Sequence, residues 1–215
     1  YKGSLEFIEI LDSYFDEFES DLLDNMPYSR SDVVRNRYYE LKETYPYITM
    51  DERLDLALEF AFAQKQFKEM RTGSYMDSNY SETEKKKEIS KYFDKNTLPI
   101  EVHRNMFKKG YIRKDISKYT LNGVNRSGKQ KTYRMEDLAP ILYLHLKIHG
   151  HKEYEKEYVM IDEAQDLSLV QILTLLQISK RQNVTIAGDL AQSIIPPFYI
   201  KDWKQVIKLF EKWNI

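Results

Sequence analysis

The 215-residue sequence predicts an α/β protein in which a mainly helical region precedes part of a parallel sheet. In the first two thirds, apolar residues recur at steps of three and four, which is the spacing of amphipathic helices. In the last third, two short apolar runs alternate with helical segments, a pattern typical of parallel α/β units. We therefore expect two domains, a helical one over 1–134 and an α/β one over 135–215.

Helical periodicity marks most of the first domain. Helices are expected over about 5–22, 32–43, 50–71 and 82–93, with shorter helical pieces over 97–118. Capping boxes at Thr49–Glu52 and Ser81–Glu84 mark the starts of the third and fourth helices. The third helix is apolar around most of its girth, so we expect it to be buried. The residues that suggest this are Leu54, Leu56, Leu58, Phe60, Phe62 and Phe67.

The second domain alternates between the two kinds of element. A helix is expected over 136–149, a strand over 157–162, a helix over 168–180, a strand over 183–187 and a helix over 202–212. The acids Glu136 and Asp137, with Pro140 close behind, suit the first turn of a helix, and Gly150 follows its end.

Composition limits the classes of protein that the chain can belong to. The sequence has no cysteine, which excludes disulfides, thiolate zinc sites and a cysteine nucleophile and fits a reducing cytoplasm. It shows neither an apolar stretch of transmembrane length nor a signal peptide, so no membrane partner is expected. Because the chain opens on Tyr1, we expect it to be part of a longer protein.

Charge is segregated although the net charge is only −1. Residues 1–25 carry eight acids and one base, whereas residues 82–135 carry fifteen Lys or Arg and six acids. The basic segment could face a polyanion or an acidic protein surface, and Lys85, Lys86 and Lys87 are its candidates for nucleic-acid contact. The alternative is a set of solvated helix faces with lopsided charge.

Acidic and amide residues follow each of the two expected strands. The first strand ends in Asp162-Glu163-Ala164-Gln165-Asp166 and the second in Gly188-Asp189-Leu190-Ala191-Gln192. Parallel sheets present functional residues beyond the carboxyl ends of their strands. There, an Asp can bind Mg²⁺ and a neighbouring Glu can take a proton from water. The pattern indicates a Mg²⁺-nucleotide site with Asp162 on the metal, Glu163 as base and Gln192 near the γ-phosphate. For Asp162-Glu163 alone, the alternative is a helix N-cap followed by a first-turn acid.

These segments resemble two helicase motifs. Ile161–Asp166 is similar to motif II (Walker B), and Ala187–Ile194 is similar to motif III, of superfamily 1 helicases of the UvrD/Rep class. The Glu136–Ala139 segment also matches that class. The resemblance implies that 135–215 is the C-terminal part of the first RecA-like domain (1A-like) of a P-loop NTPase and that 1–134 is an inserted, 1B-like domain.

The same resemblance assigns ligands, a partner and residue roles. It implies ATP and Mg²⁺ as ligands and single-stranded or duplex DNA as the partner of an ATP-dependent helicase or translocase. Asp162 would coordinate Mg²⁺, Glu163 would activate the attacking water and Gln192 would sense the γ-phosphate. Gln165 would couple the site to the neighbouring domain, while Gly188 and Asp189 would shape the sensing turn.

The chain departs from this class after motif III. It reads Ile194-Ile195-Pro196-Pro197-Phe198-Tyr199 where UvrD-type proteins continue into a base-stacking aromatic and an Arg-Gly pair. Phe198 or Tyr199 could still stack on a base. The helical region looks most like the HelD branch, whose members act on RNA polymerase. The alternative function is therefore a non-catalytic module that binds RNA polymerase.

A phosphate-loop pattern occurs in an unsuitable place. Gly123–Gln130 matches most of G-x-x-x-x-G-K-[ST], but Gln130 replaces the hydroxyl that would bind Mg²⁺, and no apolar strand precedes it. We interpret this segment as a basic surface loop. The phosphate loop and the later helicase arginines are expected elsewhere in the parent protein, so the isolated chain should not hydrolyse ATP.

Overall fold

A computed structural model gives the three-dimensional structure. It describes residues 2–28, 30–72, 78–113, 115, 134–150, 156–179, 183–192, 200 and 202–213. Within these residues, no helix combines the length and the apolar character that crossing a membrane requires.

The described residues form a mainly helical α/β structure with a parallel two-stranded sheet, which confirms the predicted fold class. The helices of the first region are α1 (Leu5–Asp24), α2 (Ser31–Thr44), α3 (Met50–Thr72), α4 (Ser78–Asn96) and α5 (Pro99–Lys108). They are followed by α6 (Met135–His149), β1 (Val159–Ile161), α7 (Leu169–Leu176), β2 (Val184–Ile186) and α8 (Trp203–Trp213). A short 3₁₀ turn follows each strand, at Ala164–Asp166 and Leu190–Gln192.

Helix α1 packs against α2, α5 and α7. Ser4 caps it by accepting a hydrogen bond from the Phe7 N–H at 3.3 Å. Most of its apolar residues are buried at helical spacing, as the sequence predicts, while Leu5, Ile10 and Phe18 are partly buried. The buried ones include Phe7, Ile8, Leu11, Tyr14, Phe15 and Leu22.

Helix α3 differs from the prediction of a helix buried on most sides. Leu54, Ala57 and Phe62 are buried, but Leu56 and Phe60 are more than 40% exposed and Phe67 is 69% exposed. The physical reason is that α2 and α6 are its main packing partners and cover one side only. On the other side, Leu56, Phe60 and Phe67 are exposed among charged and amide residues, and Arg37 of α2 lies over the Phe60 ring.

The two predicted capping boxes have different outcomes. Thr49 and Glu52 form one, because the Thr49 N–H donates to Glu52 Oε2 at 3.0 Å and the Glu52 N–H donates to Thr49 Oγ1 at 3.2 Å. Ser81 does not begin a helix, since α4 already begins at Ser78. The helix begins three residues before the capping signal, so the prediction that Ser81–Glu84 starts it is wrong.

A buried charged cluster joins α1, α2 and α3. Glu19 of α1 is fully buried and accepts hydrogen bonds from the Tyr38 hydroxyl, from Lys42 and, at 2.8 Å, from Arg53. Arg53 also lies over the Tyr38 ring. Because buried charges require partners, this cluster fixes the relative positions of the three helices.

The acidic charge of α1 is neutralised within the molecule. Lys109 of the basic segment contacts Glu17 at 2.9 Å and Asp21 at 2.7 Å, while Arg35 pairs with Asp24. The segregation of charge along the sequence therefore has a partly intramolecular explanation.

Contacts also link α1 to the second region of the chain. Asp12 of α1 accepts hydrogen bonds from Tyr143 and Lys147 of α6, each at 2.7 Å, and from the Trp213 indole of α8 at 2.9 Å. The division into two domains near residue 134 stays a prediction.

Candidate functional site

The two strands end at the same edge of the sheet. Strands β1 and β2 pair in parallel with Val159 opposite Val184 and Ile161 opposite Ile186. The register continues beyond the strands, because the Ala187 N–H donates to the Ile161 carbonyl at 2.8 Å and the Ala164 N–H donates to the Ala187 carbonyl at 2.9 Å. The polar segments that follow the strands are thereby brought side by side.

The β1 loop, residues 162–166, has three exposed carboxylates, those of Asp162, Glu163 and Asp166. Asp162 and Glu163 are both exposed, whereas Ala164 and Gln165 behind them are buried. Glu163 has a left-handed backbone, with φ 52° and ψ 36°, and Asp162 Oδ1 accepts its N–H at 2.8 Å. A left-handed non-glycine residue is sterically costly and persists only where the surroundings hold it. The β1 loop is therefore tightly constrained at Glu163.

The β2 loop, residues 187–192, is ordered by Asp189. Its Oδ1 accepts the Ala191 N–H and its Oδ2 accepts the Gln192 side-chain amide, both at 2.9 Å. These two hydrogen bonds, of which the one from Gln192 has the larger effect, hold the pKa of Asp189 below its usual range. The result is an exposed turn in which the Gln192 side chain has a defined position.

Gln165 joins the two loops. Its amide nitrogen donates to Glu163 Oε2 at 2.6 Å, and its amide oxygen accepts the Asp189 N–H at 3.0 Å. Gln165 is only 2% exposed, in contrast to the residues that it contacts. A continuous series of hydrogen bonds therefore runs from Glu163 through Gln165 and Asp189 to Gln192.

Gly188 allows the loops to approach this closely. A Cβ atom at this position would lie 2.4 Å from Gln165 Oε1 and 3.0 Å from the Ala164 nitrogen. These distances are shorter than or at the limit of ordinary contact, and the Ala164 nitrogen is backbone that cannot rotate away. Gly188 is required by space rather than by a special backbone angle.

The β1 loop is anchored on its other side by the start of α7. Ser168 caps α7 in a capping box with Gln171, and the Leu169 N–H donates to the Gly3 carbonyl at 3.2 Å. A Cβ on Gly3 would lie 2.7 Å from the Ser168 Cβ, so the N-terminal segment sits directly against this turn. The sequence reasoning missed this capping box, although Ser168-Leu169-Val170-Gln171 carries its signature.

A buried charged group holds the N-terminal segment in place. Lys2 Nζ lies 2.6 Å from Asp137 Oδ1 of α6, and both side chains are buried. His103 of α5 is buried beside them, with its Nε2 3.8 Å from the same carboxylate oxygen. Burial, assisted by the positive charges of Lys2 and Arg104, lowers the pKa of His103 to about 3. His103 is therefore neutral at physiological pH, and Lys2 supplies the charge that pairs with Asp137.

The structure brings together six of the predicted site residues. Asp162, Glu163, Gln165, Gly188, Asp189 and Gln192 all lie at the carboxyl edge of β1 and β2. Within the described ranges, no three His, Asp or Glu side chains converge as a ready-made metal site.

The other predicted residues lie on helix α4 or outside the described residues. Lys85, Lys86 and Lys87 are exposed on α4, where Lys85 pairs with Glu88 at 2.9 Å and Lys86 lies over the Phe62 ring. Phe198 and Tyr199 lie outside the described residues, as does Gly123–Gln130.

Comparison with known proteins assigns a family to most of the chain. The family model of the UvrD/REP helicase N-terminal domain matches residues 11–195, a span that contains both strands and both loops. Comparisons with curated proteins and with solved structures found no match.

Proposed function

Because the chain belongs to the UvrD/REP helicase N-terminal domain family, a RecA-like family of superfamily 1 helicases, we propose that it contributes the catalytic edge of a Mg²⁺-ATP site. The observation that carries this proposal is the series of hydrogen bonds from Glu163 through Gln165 and Asp189 to Gln192. It joins an exposed acid on one loop to an exposed amide on the next. Nucleotide hydrolysis uses a residue that orients the attacking water and groups that stabilise the charge on the γ-phosphate.

The residues at this edge fit a magnesium ion. Asp162 provides an exposed carboxylate directly after β1, and its Oδ1 already has a fixed direction through the Glu163 N–H. Mg²⁺ prefers oxygen ligands and keeps several of its waters, so a single carboxylate beside substrate phosphates suits it. Mg²⁺, when bound, supplies positive charge to the phosphate oxygens. In this proposal Asp162 is its protein ligand.

Glu163 and Gln192 have complementary roles in the proposed site. The Glu163 carboxylate is exposed and held by Gln165, which suits a general base that orients a water and takes its proton. The Gln192 amide is held by Asp189 at the edge of the same site, where it can donate to a γ-phosphate oxygen. Together they supply water activation and phosphate sensing.

Other parts of the site must come from outside these loops. Six backbone N–H groups already donate to acceptors within the two loops, those of Glu163, Ala164, Asp166, Asp189, Ala191 and Gln192. Gly123–Gln130 lacks the hydroxyl of a phosphate loop. We therefore propose that the chain contributes to ATP hydrolysis in a larger protein and has negligible activity alone. In that protein, hydrolysis would drive movement on DNA or remodelling of a nucleic-acid complex.

The identity of the nucleic-acid contacts and of the branch stays a prediction. Phe198 and Tyr199 remain the candidates for base stacking, and Lys85–Lys87 remain candidates for phosphate contact. The family match reaches the UvrD/REP level, so the HelD branch and a role as an RNA polymerase-binding module are predictions as well.

The magnesium dependence of hydrolysis tests the proposal. In the protein that contains this chain, Asp162→Asn should raise the Mg²⁺ concentration for half-maximal ATP hydrolysis by about tenfold or more, because the ion loses a charged ligand. Glu211→Gln, an exposed acid on α8, is the matched control and should leave this concentration unchanged. Equal magnesium dependence of wild-type protein and Asp162→Asn would contradict the proposed site.

A further inference from the structure

The side chain of Gln165 connects the β1 loop to the β2 loop, in addition to the backbone hydrogen bonds that continue the sheet. Backbone hydrogen bonds fix Ala164 and Ala187. They do not hold the side chains of Glu163 and Gln192. The Gln165 amide nitrogen donates to the Glu163 carboxylate, and its amide oxygen accepts the Asp189 N–H of the β2 loop, which also contains Gln192. A movement of one loop can therefore reach the acid on the other through a single buried side chain.

The chemistry of the two neighbours specifies both the residue type and its orientation. A carboxylate can only accept hydrogen bonds, and a backbone N–H can only donate, so an amide satisfies both with one orientation. The reversed amide would place its oxygen against Glu163 Oε2 and its NH₂ against the Asp189 N–H. Glutamate at this position would serve Asp189 but would place a second carboxylate against Glu163.

The surroundings hold Gln165 in this orientation. The residue is buried, and Gly188 leaves space for its amide oxygen where a Cβ would lie 2.4 Å away. Glu163 is constrained as well, since Asp162 binds its N–H and its backbone is left-handed. The Glu163 side chain thus depends on Gln165 for its position in this arrangement.

We propose that Gln165 is a positioning residue that links the γ-phosphate-sensing turn to the general base. Contact of Gln192 with a phosphate would shift Asp189 and the rest of the β2 loop, and Gln165 would transmit that shift to the Glu163 carboxylate. The base would then be set for attack only when the turn is engaged. This inference rests on the proposed function and adds a route by which phosphate contact at Gln192 affects the position of Glu163.

Two substitutions separate the two hydrogen bonds of Gln165. Gln165→Met removes both bonds at nearly constant size. Gln165→Glu keeps the acceptor for Asp189 and replaces the donor to Glu163 by a like charge, so it isolates the second bond and remains informative if the methionine variant folds poorly. Gln64→Met, the same substitution at an exposed amide on α3, is the matched control.

Hydrogen exchange measures the link without hydrolysis. In this chain, Gln165→Met should raise the exchange rate of the Asp189 amide about tenfold, because that N–H loses its acceptor, whereas Gln165→Glu and Gln64→Met should leave it near wild type. Unchanged exchange of Asp189 in Gln165→Met would overturn the inference.

Steady-state hydrolysis by the complete protein measures the consequence. Both Gln165 variants should lower kcat for ATP by about 10- to 100-fold, because a base misplaced by about 1 Å has an effect of this size. The KM should change less than about threefold, since Gln165 contacts no phosphate in the proposed site. A kcat equal to wild type in either variant would overturn the inference.

A further variant distinguishes this inference from the proposed function. If Glu163→Gln leaves hydrolysis intact, the proposed function fails, whatever the Gln165 variants do. If Glu163→Gln abolishes hydrolysis and Gln165→Met does not reduce it, the site stands and the positioning role of Gln165 is wrong.

Discussion

At the scale of single residues, the site depends on steric and hydrogen-bonding fit that involves few atoms. The exposed acids Asp162 and Glu163 could be found from the sequence because they follow an apolar strand, a position where parallel sheets carry function. The bridging contacts of Gln165 could not be found in this way. They depend on how closely the second loop approaches, which is a property of the strand register and of the space beside Gly188.

Substitution of Gly188 tests this fit. We expect Gly188→Ala to lower the free energy of unfolding by about 1–3 kcal/mol, because its Cβ forces Gln165 or the Ala164 backbone to shift. It should also raise the exchange rate of the Asp189 amide. Urea unfolding and hydrogen exchange measure the two effects.

Gly110→Ala is an informative control for this substitution. Gly110 has a φ of +86°, and no atom lies within 4 Å of the position that a Cβ would take, so alanine there is strained without any clash. Gly110→Ala should lower the free energy of unfolding by about 1–2 kcal/mol and leave the exchange rate of the Asp189 amide unchanged. If Gly188→Ala changed neither stability nor Asp189 exchange, the close approach of the two loops would be contradicted.

At the scale of elements, periodicity identified the helices better than it identified their surroundings. The apolar spacing of α1 predicted its buried face correctly. The all-round apolar character of α3 did not predict the exposure of Phe60 and Phe67, because burial depends on which neighbours cover a helix. Ser81 carried a capping signal inside α4, since a local signal cannot exclude a helix that begins earlier.

The Glu19 cluster gives a prediction at this scale. Glu19→Gln should lower the free energy of unfolding by about 3–5 kcal/mol, because it leaves the buried Arg53 without its charged partner. Asp24→Asn, which removes an exposed pair with Arg35, should cost no more than about 1 kcal/mol. Urea denaturation of both variants measures the difference. Equal, small losses would show that the cluster does not hold α1, α2 and α3 together.

At the scale of the whole molecule, two histidines make stability depend on pH in opposite directions. Burial keeps the folded-state pKa of His103 at about 3, compared with 6.5 for an unperturbed histidine. Its stabilising contribution is therefore complete above pH 6.5 and is lost as the pH falls, because the unfolded chain takes up a proton that the folded chain does not. The hydrogen bond to Asp51 raises the pKa of His149, so that its contribution is complete below pH 6.5 and is lost as the pH rises through the folded-state pKa.

These signs predict different pH profiles for two variants. Between pH 7 and pH 5, His103 alone should remove about 2 kcal/mol of stability. His103→Leu should reduce the loss of unfolding free energy as the pH falls. His149→Gln should increase that loss, because this variant lacks a group that stabilises the folded state at low pH. Urea unfolding at several pH values measures both slopes. Parallel profiles for wild type and His103→Leu would contradict a neutral, buried His103.

The central claim is that the carboxyl edge of β1 and β2 supplies the base of an ATP-hydrolysing site. The most direct measurement compares ATP hydrolysis and ATP binding by the complete protein with Glu163 or with Glu163→Gln. We predict that hydrolysis falls by at least about 100-fold, because the general base is lost, while ATP still binds. Hydrolysis at the wild-type rate by Glu163→Gln would contradict the claim.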